Sequence, residues 1–191
     1  ETAREIPFEE NTLMVLGEFA GEAETVCPRG TLRRILDRAK DMGFTVHGAL
    51  EYEFFLFDET PHSVRDKGYR NLLPISPGFF GYSVLRNSVE SNFYHDLLNL
   101  CDEMRFPLEG LHTETGPGVL EAAIAHDNAS DAADKAALFK TSIKVWAQRN
   151  DMMATFMAKW SKDLPGQSGH IHISLQASDG SSAFYDASKQ Y

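Results

Sequence analysis

The chain has 191 residues, 42% of them hydrophobic and 24% charged, with a formal net charge of −10. That composition supports one full core and excludes a disordered chain, while the acidic balance excludes a phosphate-backbone binder, so no nucleic-acid partner is expected. No apolar run approaches the roughly 18–20 residues of a membrane helix and no basic-then-apolar leader opens the chain, so the expectation is a cytoplasmic protein with no membrane partner.

In chain order, residues 11–20 read as a strand, carried by Leu13, Met14, Val15, Leu16 and Phe19. Cys27-Pro28-Arg29-Gly30 reads as a turn. A helix follows, with Leu32, Ile35, Leu36, Ala39 and Met42 at helical spacing and Gly43 as its stop. The basic cluster Arg29, Arg33, Arg34, Arg38 and Lys40 reads as that helix's solvated face. Residues 46–57 are strongly β-forming. From 58 to 87 the pattern is broken by Pro61, Pro74, Pro77, Gly78 and Gly81, long enough for a functional cover. A helix is predicted over 89–104 with Ser88 as its N-cap, then short strands over 106–111 and 119–125. The clearest helix spans 131–150, capped by Ser130, with Ala132, Ala136, Phe139, Ile143 and Trp146 as its apolar stripe. Residues 154–159 are ambiguous. A strand over 170–175 alternates cleanly, sending Ile171, Ile173 and Leu175 to a core. Strands joined by helices and long loops, without regular βαβ spacing, predict an α+β fold with an antiparallel sheet and flanking helices. The two cysteines, Cys27 and Cys101, have no metal-type spacing and read as reduced, buried thiols.

Three segments carry residues suited to chemistry. In Glu51-Tyr52-Glu53-Phe54-Phe55-Leu56-Phe57, alternation puts Glu51 and Glu53 on one face with Phe55 and Phe57. These glutamates are either wet at an emerging strand end or held in a protected space, where each needs a cation or a proton. In Glu109-Gly110-Leu111-His112-Thr113-Glu114 followed by Thr115-Gly116-Pro117-Gly118-Val119-Leu120-Glu121, the tight turn can bring Glu114 near Glu121. In residues 165–175, alternation groups His170, His172 and Ser174. Each segment alone also fits surface polar residues. Together they place several carboxylates and two histidines where divalent cations would relieve repulsion, and oxygen-rich ligation favours Mg²⁺ or Mn²⁺. There is no G-x-x-x-x-G-K-[ST] loop, so any nucleotide is not held by a P-loop.

Glu-x-Glu before Phe-Phe-Leu-Phe, His-x-Glu with Gly-Pro-Gly and a later Glu, and Ser-Gly-His-x-His-x-Ser-Leu occur in the order and rough spacing of glutamine synthetases. The chain resembles that family over nearly its whole length, and residues 154–159 add to the likeness. The resemblance implies that Glu53, Glu114 and Glu121 hold one divalent ion. It implies that Glu51 and His170 hold a second, together with a later glutamate beyond this chain. It places Glu109, His172 and Ser174 near ATP, and Gly166 where loop backbone meets the substrate glutamate. The implied reaction joins the glutamate side-chain carboxylate to ammonia or an amine through an acyl phosphate, in a homo-oligomeric ring. Residues 1–27 correspond to the tail of a small N-terminal β-domain and its connection, and 28–191 to the first part of the catalytic domain. The chain opens on Glu1 rather than Met, so upstream sequence is expected, and the fragment alone is expected to be inactive. Val119 and Pro165 stand where the family commonly has Gln and Asn; this predicts an alkyl or polyamine acceptor in preference to ammonia. The alternative reading is a non-catalytic relative kept as a scaffold.

Overall fold

The computed structural model describes residues 2–189. Its spine is β3 (Phe44–Phe57), 14 residues long. Two of its edge partners overlap along the strand, so both edges are used. One edge pairs with β5 (Val119–Ile124) and, further back, β6 (Asp127–Asn128). The other pairs with β8 (Gly169–Ala177) and β7 (Met153–Thr155). Outside β5 lies β4 (Leu108–Thr113), and every pairing is antiparallel. The α+β expectation therefore holds.

Alternation along β3 divides the core. Tyr52, Phe54 and Leu56 face the helices, where Phe54 and Leu56 are fully buried among Leu97, Leu100, Phe106, Phe139 and Ile143. Phe139 stacks on Tyr52 at 5.7 Å between ring centroids and meets Phe54 edge-on at 6.1 Å. Apart from Phe106, which follows α4, the covering side chains belong to α4 (Ser91–Glu103) and α5 (Ala129–Arg149), the main helical cover of this face. The predicted α5 stripe is buried throughout. Its cap is Asn128 rather than Ser130: the Asn128 side-chain oxygen accepts from the Asp131 N–H, so the helix opens earlier than expected. On the opposite face, Phe55, Phe57 and Val119 form a smaller apolar cluster with Trp160 and Met153 beside it.

Other expectations need correction. The 11–20 strand shrinks to β2 (Leu13–Met14), paired with β1 (Arg4–Glu5). Leu13, Val15 and Phe19 stay exposed, and among the described residues no further strand covers them. The helix predicted over 89–104 is α4, capped at Glu90 without a side-chain bond rather than at Ser88, and a separate short helix precedes it. Ser83 caps α3 (Val84–Val89) by accepting from the Arg86 N–H, and Glu90 at φ −97°, ψ 23° breaks the run before α4. The long 58–87 segment holds a short helix, α2 (Pro61–Asp66), closed by a capping box between Thr60 and Ser63. The strand predicted over 106–111 starts two residues later, because Phe106 is fully buried in the core.

The helix after Cys27, α1 (Pro28–Asp41), ends before Gly43 at φ +89°, but its apolar stripe is only partly used: Ile35 and Met42 are exposed. Nor is its basic face simply solvated. Arg29 donates from Nε and Nη2 to the buried Asp134 of α5 at 2.9 and 3.1 Å and also bonds Glu18; Arg33 pairs with Glu18 and Glu24. Both cysteines are free and buried, as expected.

β8 departs most from expectation. Ile171 and Ile173 are 69% and 58% exposed, although alternation predicted core positions. Both point to the helical side of the sheet, but α5 lies over β3, and among the described residues nothing covers the adjacent edge strand.

Candidate functional site

Residues paired directly across antiparallel strands project to the same side. The register therefore places the site without further assumption. Glu53 lies opposite Glu121, and Glu121 opposite His112. Glu51 lies between Ala123 and His170, and Ala49 opposite His172. Glu51, Glu53, Glu121, His112, His170 and His172 thus share the face that α4 and α5 leave bare.

Two groups form on it. In the first, His112, Glu114 and Glu121 bring one nitrogen and two carboxylate oxygens within 4.8 Å of one another. His112 Nε2 is 3.7 Å from Glu121 Oε1, and His112 Nδ1 is 3.8 Å from Glu114 Oε1. The 115–118 turn closes this pair of strands: the Glu114 N–H donates to Val119 O at 2.9 Å, and the Thr115 N–H donates to the Glu114 carboxylate. Loss of water pushes the Glu121 carboxyl above the ordinary range, against the pull of His112, and Glu51, Glu114 and Glu53 push it further. In the second group, His170 Nδ1 and His172 Nε2 contact the same Glu51 oxygen at 3.0 and 3.2 Å. Hydrogen bonding to His172, and then to His170, holds the Glu51 carboxyl below its ordinary value against the opposing cost of burial.

Glu53 stands apart from the tight triad. Its Oε2 accepts from the Ser168 N–H at 2.8 Å, and its own N–H donates to Ser168 O. The loop before β8 is thereby fastened to the middle of β3. Gly166 lies in that loop, where a Cβ would fall 2.6 Å from Ala158 O. The close approach of the two backbones explains why this position carries no side chain. Glu109 is exposed at a register shift between Leu108 and Gly110 and lies 3.4 Å from His126. Ser174 lies opposite His47 at the far end of β3.

The expected residues therefore gather as follows. Glu114 and Glu121 meet, with Glu53 next to Glu121 in register. Glu51 meets His170. His172, expected near a nucleotide, also touches Glu51. Glu109 and Ser174 stand away from both groups. His112 had no assigned role, although the His-x-Glu spacing on one strand face was the signal that could have found it. Tyr82 was invisible in the sequence. It comes from the long 58–87 segment and stacks on His112 at 4.8 Å between centroids. Hydrogen bonding to the Glu114 carboxylate raises its phenol pKa. Its loop is fixed by buried Thr113, whose hydroxyl donates to Phe80 O while the Tyr82 N–H donates to Thr113 O.

Val119 does not line the site. It is 1% exposed and packs on Phe55 and Phe57. A Cβ added at Gly116 would lie 3.2 Å from Val119 Cγ2 and 3.8 Å from Pro165 Cδ, so both substitutions flank one turn. Here Val119 packs the floor beneath the turn, so its side chain gives the expectation of an alkyl or polyamine acceptor no direct support.

Such an arrangement suits multivalent cations. Clustered carboxylates of like charge, partly withdrawn from water, are stabilised by a cation between them. The fold and this face define an α+β unit with an acidic, imidazole-rich site on one side of an antiparallel sheet. Comparison with known proteins gives the family. The family described as glutamine synthetase, catalytic domain, matches residues 25–191. The chain is 42% identical over 191 residues to type-1 glutamine synthetase 2 of Dictyostelium discoideum, covering 98% of this chain and 36% of that protein. It is 34% identical over 182 residues to the glutamate–isopropylamine ligase of a Pseudomonas species, covering 94% of this chain and 40% of that protein. A solved structure of GmaS without ligand shares the fold, with a TM-score of 0.81 at 21% identity over 96% of this chain and 43% of that one. The chain belongs to the glutamine synthetase catalytic-domain family. It spans about two fifths of the length of these relatives.

Proposed function

We propose that the whole protein is an ATP-dependent ligase that joins the side-chain carboxylate of glutamate to ammonia or an amine. The γ-phosphoryl group of ATP passes to a carboxylate oxygen of glutamate, giving an acyl phosphate and ADP. The amine nitrogen then attacks the acyl carbon and phosphate leaves, with the amine proton lost to solvent or base. The observation that carries this reading is the two-group cluster on one sheet face, Glu51 with His170 and Glu114 with Glu121 and His112, in a chain of this family.

Glu53, Glu114 and Glu121 would hold one divalent cation, with His112 close by, and Glu51 and His170 a second. Mg²⁺ or Mn²⁺ suits this oxygen-rich set, and such ions supply charge neutralisation to phosphate oxygens. The chain's own residues do the positioning. The Ser168 N–H orients Glu53, the Gly166 backbone would meet the substrate glutamate, and Glu109, His172 and Ser174 would face the nucleotide. Residues 1–27 fit the end of an N-terminal β-domain, and a homo-oligomeric ring fits the family. The names of several relatives, among them the isopropylamine ligase, support an amine acceptor as readily as ammonia. An amine panel on the whole protein tests the reading, comparing kcat/KM for ammonia, methylamine, ethylamine and putrescine at fixed glutamate and ATP. Amide formation with at least one of them is expected; none with any would refute it.

A further inference from the structure

Tyr82 reaches the group of His112, Glu114 and Glu121 from outside the sheet, and its backbone is strained where it does so. Its φ is +55°, in the left-handed region that a bulky side chain rarely adopts. The residue is 70% exposed, so burial does not hold it there. Hydrogen bonds to a single residue do. The Tyr82 N–H donates to Thr113 O at 2.8 Å, the Thr113 hydroxyl donates to Phe80 O at 2.9 Å, and the Ser83 N–H donates to that hydroxyl at 3.1 Å. These bonds bracket the strained residue on both sides. Strain of this kind persists only where the surroundings impose it, and it gathers at functional sites.

Thr113 sits on β4 between His112 and Glu114, and it is buried. Strand alternation turns its side chain to the face opposite the site. It can therefore act on the site only through what it holds. The turn it holds crosses the Glu114 backbone: a Cβ at Gly81 would lie 3.6 Å from Glu114 C. Tyr82 then stacks on His112 at 4.8 Å, and its hydroxyl bonds the Glu114 carboxylate. The Thr115 N–H donates to Glu114 Oε2 at 2.9 Å, so that carboxylate is held from two directions.

We infer that Thr113 is a positioning residue for the Glu114 side of the site: by clamping the 80–83 turn it keeps Tyr82 on Glu114, and the carboxylate is oriented before a divalent cation binds. This rests on the reading above, in which Glu114 and Glu121 hold that cation. A ligand group ordered in advance need not be ordered by the ion, and that saving appears as affinity.

The test is calorimetric Mn²⁺ titration of the whole protein without nucleotide, together with amide exchange over residues 79–85. Thr113→Val keeps the shape and removes the hydroxyl. It should weaken Mn²⁺ binding by about three- to tenfold, the effect of one lost neutral hydrogen bond, and speed exchange over 79–85 in the cation-free protein. Thr113→Ser, which keeps the hydroxyl, should recover most of both. Tyr82→Phe should weaken Mn²⁺ binding to a similar degree, and adding Thr113→Val to it should cost little more, because both changes break one path. Thr113→Ala carries the same expectations as Thr113→Val, so the test stands if one variant fails to fold. Unchanged Mn²⁺ affinity in a folded Thr113 variant, or a loss as large in the Tyr82→Phe background as in the wild type, would overturn the inference. Wild-type protein that binds no Mn²⁺ would instead overturn the cation reading on which it rests.

Discussion

Gly118 joins the turn at 115–118 to the spine of the sheet, and Gly118→Ala should damage both. The residue has φ +68°, and a Cβ there would sit 2.5 Å from Leu56 O and 3.0 Å from Pro74 Cβ. Its own carbonyl accepts from the Leu56 N–H at 2.8 Å, so backbone cannot retreat without loosening the first link between β3 and β5. Two costs add. A side chain in the left-handed region costs about 1–2 kcal/mol, and crowding in a packed interior costs about 1–3 kcal/mol. The sum is about 2–5 kcal/mol, a large part of a typical domain's stability, or a fall in Tm of about 4–20 °C for a chain of this size. Gly180 separates the two costs. Its φ is +85° but a Cβ there meets nothing within 4 Å, so Gly180→Ala should show only the backbone part. Urea unfolding followed by circular dichroism, at a shared m-value, measures both. A Gly118→Ala variant no less stable than Gly180→Ala would show that the close approach to Leu56 does not constrain this turn.

Three further outcomes are expected. Arg29→Met leaves the buried Asp134 without its paired guanidinium and should cost about 2–4 kcal/mol in urea unfolding, part-exposure of Arg29 lowering the usual range; adding Asp134→Leu should restore most of it, and a double variant as weak as the single would contradict a paired origin. Glu59 is held near a pKa of about 2, first by Lys67 and then by the Ser63 hydroxyl, with the Leu73 N–H also donating to it. A depressed carboxyl contributes stability that is complete above its unfolded value of 4.5 and is lost as pH falls toward 2; Glu59→Gln should flatten the pH dependence of Tm in that window, and an unaltered slope would refute the assignment. Glu121→Gln removes one of several clustered negative charges, so it should raise the Tm of the cation-free protein while weakening Mn²⁺ binding in a calorimetric titration; unchanged Mn²⁺ affinity would mark Glu121 as an ordinary surface acid.

The legible parts of the sequence were those whose burial repeats along one element. The β-forming run at 46–57 and the α5 stripe from Ala132 to Trp146 each show their partners in their own period. The Glu-x-Glu, His-x-Glu and His-x-His spacings could be read because a strand forces alternate residues to one side. What escaped depended on distant partners. Arg29 reads as a surface cation until Asp134, 105 residues away, is placed beside it. Tyr82 reaches His112 only because Thr113 ties its loop down. Ile171 and Ile173 alternate as core residues do, yet alternation does not say whether a second layer lies over an edge strand. Val119 stands in a motif, but its neighbours Phe55 and Phe57 make it a packing residue.

In the proposed reaction this acidic face serves ligation of an amine to glutamate at the expense of ATP. Phosphate release from ATP by the whole protein, measured with Mg²⁺ or Mn²⁺ while glutamate and amine are supplied singly and together, tests it most directly. Fast release is expected only when glutamate and an accepted amine are both present, with one amide formed per phosphate. Phosphate release indifferent to glutamate, or none under any combination from protein that binds ATP and Mn²⁺, would contradict it.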